Sequence, residues 1–523
     1  MKILTHGIGL PKATIRRRLI FSTPTVRTLT FRIPMQHPSD LREHIAALEA
    51  LGDLDRVDTE VDWNLEAAAH TRYSVERRLP APLFEKVSGV EEGFRLIGSP
   101  AALSSAPDKP FARVALSIGL PPEATGRDVV ERLVDTWSRP GIPPKSVSRE
   151  EAEVKQNVLL GDDADLTRFP VPFVHHGDGN RYANTYGVII AQTPDGSWTN
   201  WSIARIMMVD GKHMTGLVMH PQHIAQVWQQ WVDLGKPMPY ALVQGGDPAI
   251  PFIGGVPLPD NVNEADYIGA LIDEPLKVVK AELSDLLVPA SAEIVIEGHL
   301  SIERSGVEGP FGEYAGYIPT ETSLQPVYSV EAITYRDDPI WPIVAEGTPV
   351  DECHTSQTIG MAVGSVAALR AAGLPVTTVW GSMYSAGHWY AVTVPSDWRD
   401  RLPGTTPEEF ARQVGETLYS TKFGHCLPQV FLLDDDIDPA DEHVLLWALA
   451  TRVHPVDRKV YFEGGPILPL LACYTEEERH AAHATKVVHE ALLPAPGERQ
   501  VTSNFEHAYP AEVRSKVLAR HQR

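Results

Sequence analysis

Apolar residues recur at helical spacing at Leu41, Ile45, Leu48 and Leu51, and Gly52 closes the run, so the spacing predicts a first helix. Residues 54–61 alternate and predict a strand. A second helix is predicted over 126–137, punctuated by Arg139-Pro140-Gly141-Ile142-Pro143-Pro144. Between 165 and 340, runs of strand length rich in β-branched and apolar residues stand at 186–193, 204–209, 292–300 and 327–335, with one helix over 223–234. Asp210-Gly211 reads as a hairpin turn after Ile206-Met207-Met208-Val209. That pattern predicts an antiparallel barrel or sandwich with helical insertions. From about 340 helices and strands alternate: a helix over 356–372 ended by Gly373, a strand over 376–379, a helix over 407–418 and a buried strand over 430–433. This is the pattern of an α/β layer domain. The stretch after Pro494 reads as a helical or extended tail, and no internal repeat stands out.

The length of 523 residues allows two to four domains at about 150 residues each. The longest apolar runs, such as 444–450, are too short to span a membrane. A formal charge of −22 argues against nucleic acid as the main partner, because phosphate binding needs a basic face. Cys353, Cys426 and Cys473 form no CxxC and no even disulfide framework, so a reducing, cytoplasmic compartment is expected. Residues 1–39 hold seven bases and no acid. They resemble a transit peptide, but they lack a sustained amphipathic period, so a start set too early is the favoured expectation.

No P-loop, GxSxG, HExxH or GxGxxG is present, and Gly254-Gly255 and Gly464-Gly465 read as turns. In Asn200-Trp201-Ser202-Ile203-Ala204-Arg205, Trp201 and Arg205 taken alone suit a packed strand face with a surface ion pair. His223, opening a helix, reads alone as a capping or core residue, Glu264 as a surface acid near a helix start, and Lys422 as a surface lysine. Glu308-Gly309-Pro310-Phe311-Gly312-Glu313-Tyr314 carries more. Its two carboxylates flank a Gly-Pro-Phe-Gly bend and can converge on one pocket. With an arginine, such a pair suits acid–base work: the guanidinium keeps one carboxylate anionic, and burial lets the other hold a proton.

Together, the Asn200–Arg205 segment, Gly216-Leu217-Val218 with Pro221-Gln222-His223, Glu264, and Glu308 with Glu313 resemble the UbiD family of prenylated-FMN-dependent decarboxylases. The resemblance lies closest to the ferulic (cinnamic) acid branch and runs from about Asp40 to about Lys516, with supporting stretches at 64–69, 288–295 and 435–438. It implies a mixed α/β fold: an N-terminal α/β domain over 39–160, a split β-barrel flavin domain over 161–340, a C-terminal α/β dimerisation domain over 341–500, and a tail over 501–523, with 1–38 as leader or misplaced start. It implies that Asn200, His223 and Glu264 hold Mn²⁺ or Mg²⁺ against the flavin phosphate. Trp201, Glu264 and Arg452 would form a neighbouring K⁺ site, with carbonyls near 253–256. Lys422 would meet the phosphate, and Ser202, Ile203, Ala204, Arg205 and Gln222 would line the flavin. Arg205, Glu308 and Glu313 match the catalytic set, with Glu313 as proton donor.

Tyr314 is expected in the substrate pocket, and three further pocket positions depart from the cinnamic branch: Gln357 for isoleucine, Cys426 for threonine and Gly465 for phenylalanine. A glycine there would open room for a wider ring, and the Gln357 amide would hydrogen-bond a ring N–H or a phenol. The expected substrate is therefore an indole- or pyrrole-type carboxylate, decarboxylated reversibly and without net oxidation. The alternatives are that Gln357 pairs with protein and the substrate is cinnamic or phenolic, or that the chain binds flavin without turnover. Expected partners are a small aromatic acid, a flavin prenyltransferase as cofactor supplier and a second copy of the chain.

Overall fold

The computed structural model describes residues 37–495 and 502–521. The expectation for the leader concerns residues outside these, apart from 37 and 38. In helix Leu41–Ala50 the Asp40 carboxylate accepts from the Glu43 N–H at 2.8 Å, while Leu41, Ile45 and Leu48 are buried. Gly52 leaves it at φ +71°, a conformation a side chain would strain. The strand that follows is shorter than predicted, Leu54–Val57, and pairs in parallel with Ala81–Phe84. Arg95–Gly98 and then Ile340–Ile343 complete this four-stranded sheet. Beneath it Arg113 is 1% exposed and holds both Asp53 oxygens, at 2.6 and 2.8 Å, with the Ser99 and Leu79 carbonyls. Arg113→Ala leaves a buried carboxylate unpaired and is expected to cost about 3–5 kcal/mol, read as a lower urea midpoint.

The central sheet has ten strands, all antiparallel. Its main path runs from Tyr182–Asn184 through Ile294–Glu308 and Met238–Gln244 to Thr199–Ser202. The two ends of that path do not pair with each other, so the barrel is split. Alternate residues of one strand serve two cores: Val188, Ala241 and Val295 face one, Ile189, Leu242 and Ile296 the other. The Asp210-Gly211 turn forms as predicted, closed by Val209 N–H to the His213 carbonyl at 2.9 Å.

Two expectations shift here. The strand at 292–300 continues to Glu308, because its second half pairs with Ser323–Ser329 through two register shifts. The strand at 327–335 is two, Ser323–Ser329 and Ala332–Tyr335, and the second pairs with Asn157–Leu160. Asn157–Leu160 therefore belongs to the central sheet rather than to the N-terminal layer.

Beyond Ile343 a five-stranded mixed sheet, from Thr378–Gly381 to Lys459–Pro466, carries helices Glu352–Ala371 and Pro407–Tyr419. The first of these starts earlier than predicted because the Asp351 carboxylate caps Cys353 N–H at 3.1 Å. One core takes Val114, Val243, Val363 and Leu432 together, so the layers are packed rather than linked. Among the described residues no helix is long and apolar enough to cross a membrane.

Candidate active site

Strand Thr199–Ser202 turns its side chains alternately. The Trp201 indole enters the main core, whereas Asn200 and Ser202 face a cavity of about 290 Å³. Two helices begin at this cavity, His223–Asp233 and Glu264–Ile272, and each contributes its first side chain. Glu264 Oε2 accepts from Trp201 N–H at 2.7 Å, and its Oε1 accepts from Asn200 Nδ2 at 3.0 Å. His223 Nδ1 lies 3.8 Å from the same Oε1. On its other side His223 Nε2 meets Asp260 at 2.9 Å and the Lys422 ammonium. Burial lowers the Lys422 pKa, against the pull of Asp260 and Glu264.

This end of the cavity contains unsatisfied acceptors. Asn200 Oδ1, Ser202 Oγ and Gln222 Oε1 are buried without a hydrogen-bond partner. Each such atom costs about 1–3 kcal/mol unless a ligand or cation meets it. An amide oxygen, an imidazole and a carboxylate form a donor set suited to a divalent cation sharing oxygen ligands with a phosphate. Among the described residues no group of three or more His, Cys, Asp or Glu stands close enough to hold a metal.

At the other end stands Arg205. Its Nε and Nη2 donate to the two Glu308 oxygens at 2.8 and 3.1 Å, and Nη1 meets Glu313. The loop between the carboxylates explains how both arrive. Glu308 ends the long strand, and Gly309 turns the chain at φ +88°. Phe311 is fully buried, 4.2 Å from the Tyr182 ring, and pins the loop. A Cβ on Gly312 would stand 2.5 Å from the His175 ring, so only glycine fits. The Tyr182 hydroxyl donates to Glu308 at 3.1 Å. Burial pushes the Glu313 carboxyl up, opposed by Arg205 and reinforced by Glu308 and Asp178.

Ile203, Ala204, Gln222, Tyr314, Gln357 and Cys426 all line the cavity. Burial drives the Tyr314 hydroxyl well up, and the Gln357 side chain opposes that rise. Tyr314 Oη makes no hydrogen bond of ordinary geometry, so Gln357 lies beside it without engaging it fully. Burial pushes the Cys426 thiol up to about 12.

One expectation needs correction. Gly465 does not line the cavity: it pairs with Ala484 on Lys459–Pro466, and a Cβ there would meet only Lys486. Leu468 and Leu470, a few residues on, do line it. The Arg452 side chain is bidentate on Asp436 at 2.7 and 2.8 Å, so its main-chain carbonyl is the group it would offer a neighbouring K⁺ site. A guanidinium offers no acceptor to a cation in any case. Trp201 reaches the cluster only through its main chain.

The sequence reading missed Glu346. It is 9% exposed, lines the cavity, and accepts from the Tyr314 N–H at 3.1 Å. The available signal was an acid in a Gly-Thr-Pro turn directly before a capped helix start.

Comparison with known proteins agrees with this geometry. Three profiles described as 3-octaprenyl-4-hydroxybenzoate carboxy-lyase domains match: the N-terminal domain over 45–133, the Rift-related domain over 145–349 and the C-terminal domain over 355–491. A pyrrole-2-carboxylic acid decarboxylase of Pseudomonas aeruginosa is 40% identical over 484 residues, 92% of this chain and 97% of that protein. Ferulic acid decarboxylase 1 of Saccharomyces cerevisiae is 37% identical over 488 residues, 91% of this chain and 96% of that protein. The structure of an evolved dimeric form of the UbiD-class enzyme HmfF from Pelotomaculum thermopropionicum, in complex with prFMN, superposes with a TM-score of 0.73 at 25% identity, covering 91% of this chain and 99% of that one. With matched profiles spanning most of its length, the chain belongs to the UbiD family.

Proposed function

We propose that this protein is a prenylated-FMN-dependent carboxy-lyase acting reversibly, without net oxidation, on an aromatic, heteroaromatic or α,β-unsaturated acid. Pyrrole- and indole-type carboxylates are its preferred class. The observation that carries this reading is a single cavity with a buried, cation-ready donor set at one end and Arg205 between two carboxylates at the other. The relative 40% identical, a pyrrole-2-carboxylic acid decarboxylase, supports the substrate class.

Asn200, His223 and Glu264 would hold Mn²⁺ or Mg²⁺, with Lys422 on the flavin phosphate; the unsatisfied Asn200 Oδ1 fits that role. A K⁺ ion would draw on Glu264 and on main-chain oxygens of Trp201, Arg452 and the 253–256 segment. Ser202, Ile203, Ala204 and Gln222, which line the cavity, would lie against the flavin. When bound, the prenylated flavin supplies the electron sink that decarboxylation needs. Arg205 steers the substrate carboxylate, and Glu308 holds Arg205 by its bidentate pair. Glu313 donates the proton that replaces CO₂ on the same carbon.

The same reading keeps the three-domain division and homodimerisation through the C-terminal domain, where Leu446 and Trp447 are exposed. It also includes a cytoplasmic setting and cofactor supply by a flavin prenyltransferase. The test is protein co-expressed with that prenyltransferase, scored for flavin absorbance and for CO₂ release from pyrrole-2-carboxylate, indole-3-carboxylate, cinnamate and ferulate. Flavin-loaded protein inert on all of them would leave a non-catalytic flavin binder.

A cinnamic-type substrate is the second reading, favoured by the apolar wall of Met361, Phe423, Leu468 and Leu470. Gln357 decides between the two. Gln357→Ile removes the amide at similar bulk, so a substrate N–H that used it becomes unpaired, at about 1–3 kcal/mol. The ratio of kcat/KM for pyrrole-2-carboxylate over cinnamate is expected to fall by at least about tenfold. An unchanged ratio would make Gln357 a partner of Tyr314 alone.

A further inference from the structure

The Arg205 end of the cavity holds one more carboxyl than its mechanism uses. One guanidinium faces Glu308, Glu313 and Glu346, which are 1%, 7% and 9% exposed. Three buried carboxylates against one cation is an unstable charge balance, so at least one must keep a proton. Neighbouring groups do not change this count. Asp178 is engaged by His175 at 3.1 Å, and Asp351 by Arg72 at 3.0 Å and His354 at 2.9 Å. The Cys353 thiol beside Glu346 is driven well up by burial and stays neutral. His175 Nε2 reaches only the Glu346 main-chain carbonyl, at 2.8 Å.

The hydrogen bonds decide which carboxyl keeps the proton. Glu308 receives two from Arg205 and one from Tyr182, and Glu313 receives Arg205 Nη1. Glu346 receives only uncharged donors, the N–H of Tyr314, the residue after Glu313, and the weak Cys353 thiol. We infer that Glu346 is the proton reservoir of this site, holding the proton that Glu313 delivers and passing it to Glu313 when the substrate carboxylate draws Arg205 away.

This rests on the decarboxylase reading. In the transfer the Glu346 O–H bond breaks and a Glu313 O–H bond forms, with no change of oxidation state. Glu346 is left as carboxylate and regains its proton from water after product leaves. Glu346 acts through Glu313 and is a positioning residue. Burial, with Glu313 and Asp351 adding, pushes its carboxyl up to about 8, so it is charged with a proton across the neutral range.

The sign of the pH effect follows. Below pH 8 the reservoir is full, and as pH rises through about 8 it empties, so wild-type kcat falls on that limb. Glu346→Gln keeps the shape and cannot titrate. Its flavin absorbance is expected to match wild type, with kcat at pH 7 lower by about tenfold or more and KM within about threefold. The limb near pH 8 disappears. Glu346→Asp restores a titrating proton and is expected to recover most of kcat and the limb. Wild-type kcat in Glu346→Gln, an unchanged limb there, or Glu346→Asp as inactive as Glu346→Gln would each overturn the assignment. If Glu346→Gln fails to load flavin, the limb in Glu346→Asp decides: its presence supports the reservoir, its absence overturns it. Wild type inert on every acid sinks the decarboxylase reading instead, so the two failures are separable.

Discussion

Glu313→Gln is expected to keep flavin and metal at wild-type occupancy while kcat drops by about 10²–10⁴-fold. The amide preserves the volume of the carboxyl and can still accept from Arg205 Nη1, so the Arg205–Glu308 pair, at 2.8 and 3.1 Å, stays in place. What it removes is the carboxyl that takes up and hands on the proton, at a point where burial eases its protonation. The loss should therefore sit in kcat, with KM nearly unmoved. Rapid-quench measurement of CO₂ against product separates the steps: CO₂ release in the first turnover survives while protonated product fails to appear. Near-wild-type turnover with normal flavin loading would remove Glu313 as proton donor and with it the reservoir role of Glu346.

Glu264→Ala is expected to lose metal and flavin together. Glu264 accepts from Trp201 N–H at 2.7 Å and from Asn200 at 3.0 Å, so its carboxylate organises the donor set as well as charging it. Alanine leaves a buried N–H unpaired, at about 1–3 kcal/mol, and removes the anionic member of the set. A protein of net charge −22 then has to hold a phosphate with Lys422 alone, an ammonium whose pKa burial already lowers. Bound Mn²⁺ and flavin absorbance should both fall below about a tenth of wild type, with far-UV circular dichroism unchanged. Full flavin occupancy in metal-stripped Glu264→Ala would show that the phosphate needs no cation.

Local chemistry carried much of this protein into view from the sequence. The helices at Leu41–Ala50, Gly126–Trp137 and His223–Asp233 follow from apolar spacing and caps that act within one turn. The Gly-Pro-Phe-Gly bend brings Glu308 and Glu313 together by its own geometry, and the resemblance to the UbiD family supplied Arg205 as their partner. Other features depend on contacts between distant segments. The strand ending at Glu308 runs past its apolar stretch because Ser323–Ser329 supplies the hydrogen bonds, and hydrophobic pattern does not record a partner's edge. Gly465 matched a pocket position in sequence but lies in a paired strand away from the cavity, because wall position is decided by register with His483–Glu490. Glu346 looked like one acid in a polar turn. Only packing against Tyr314 and Cys353 made it a buried carboxyl beside Glu313, because burial and charge balance belong to the assembled site and to no single segment.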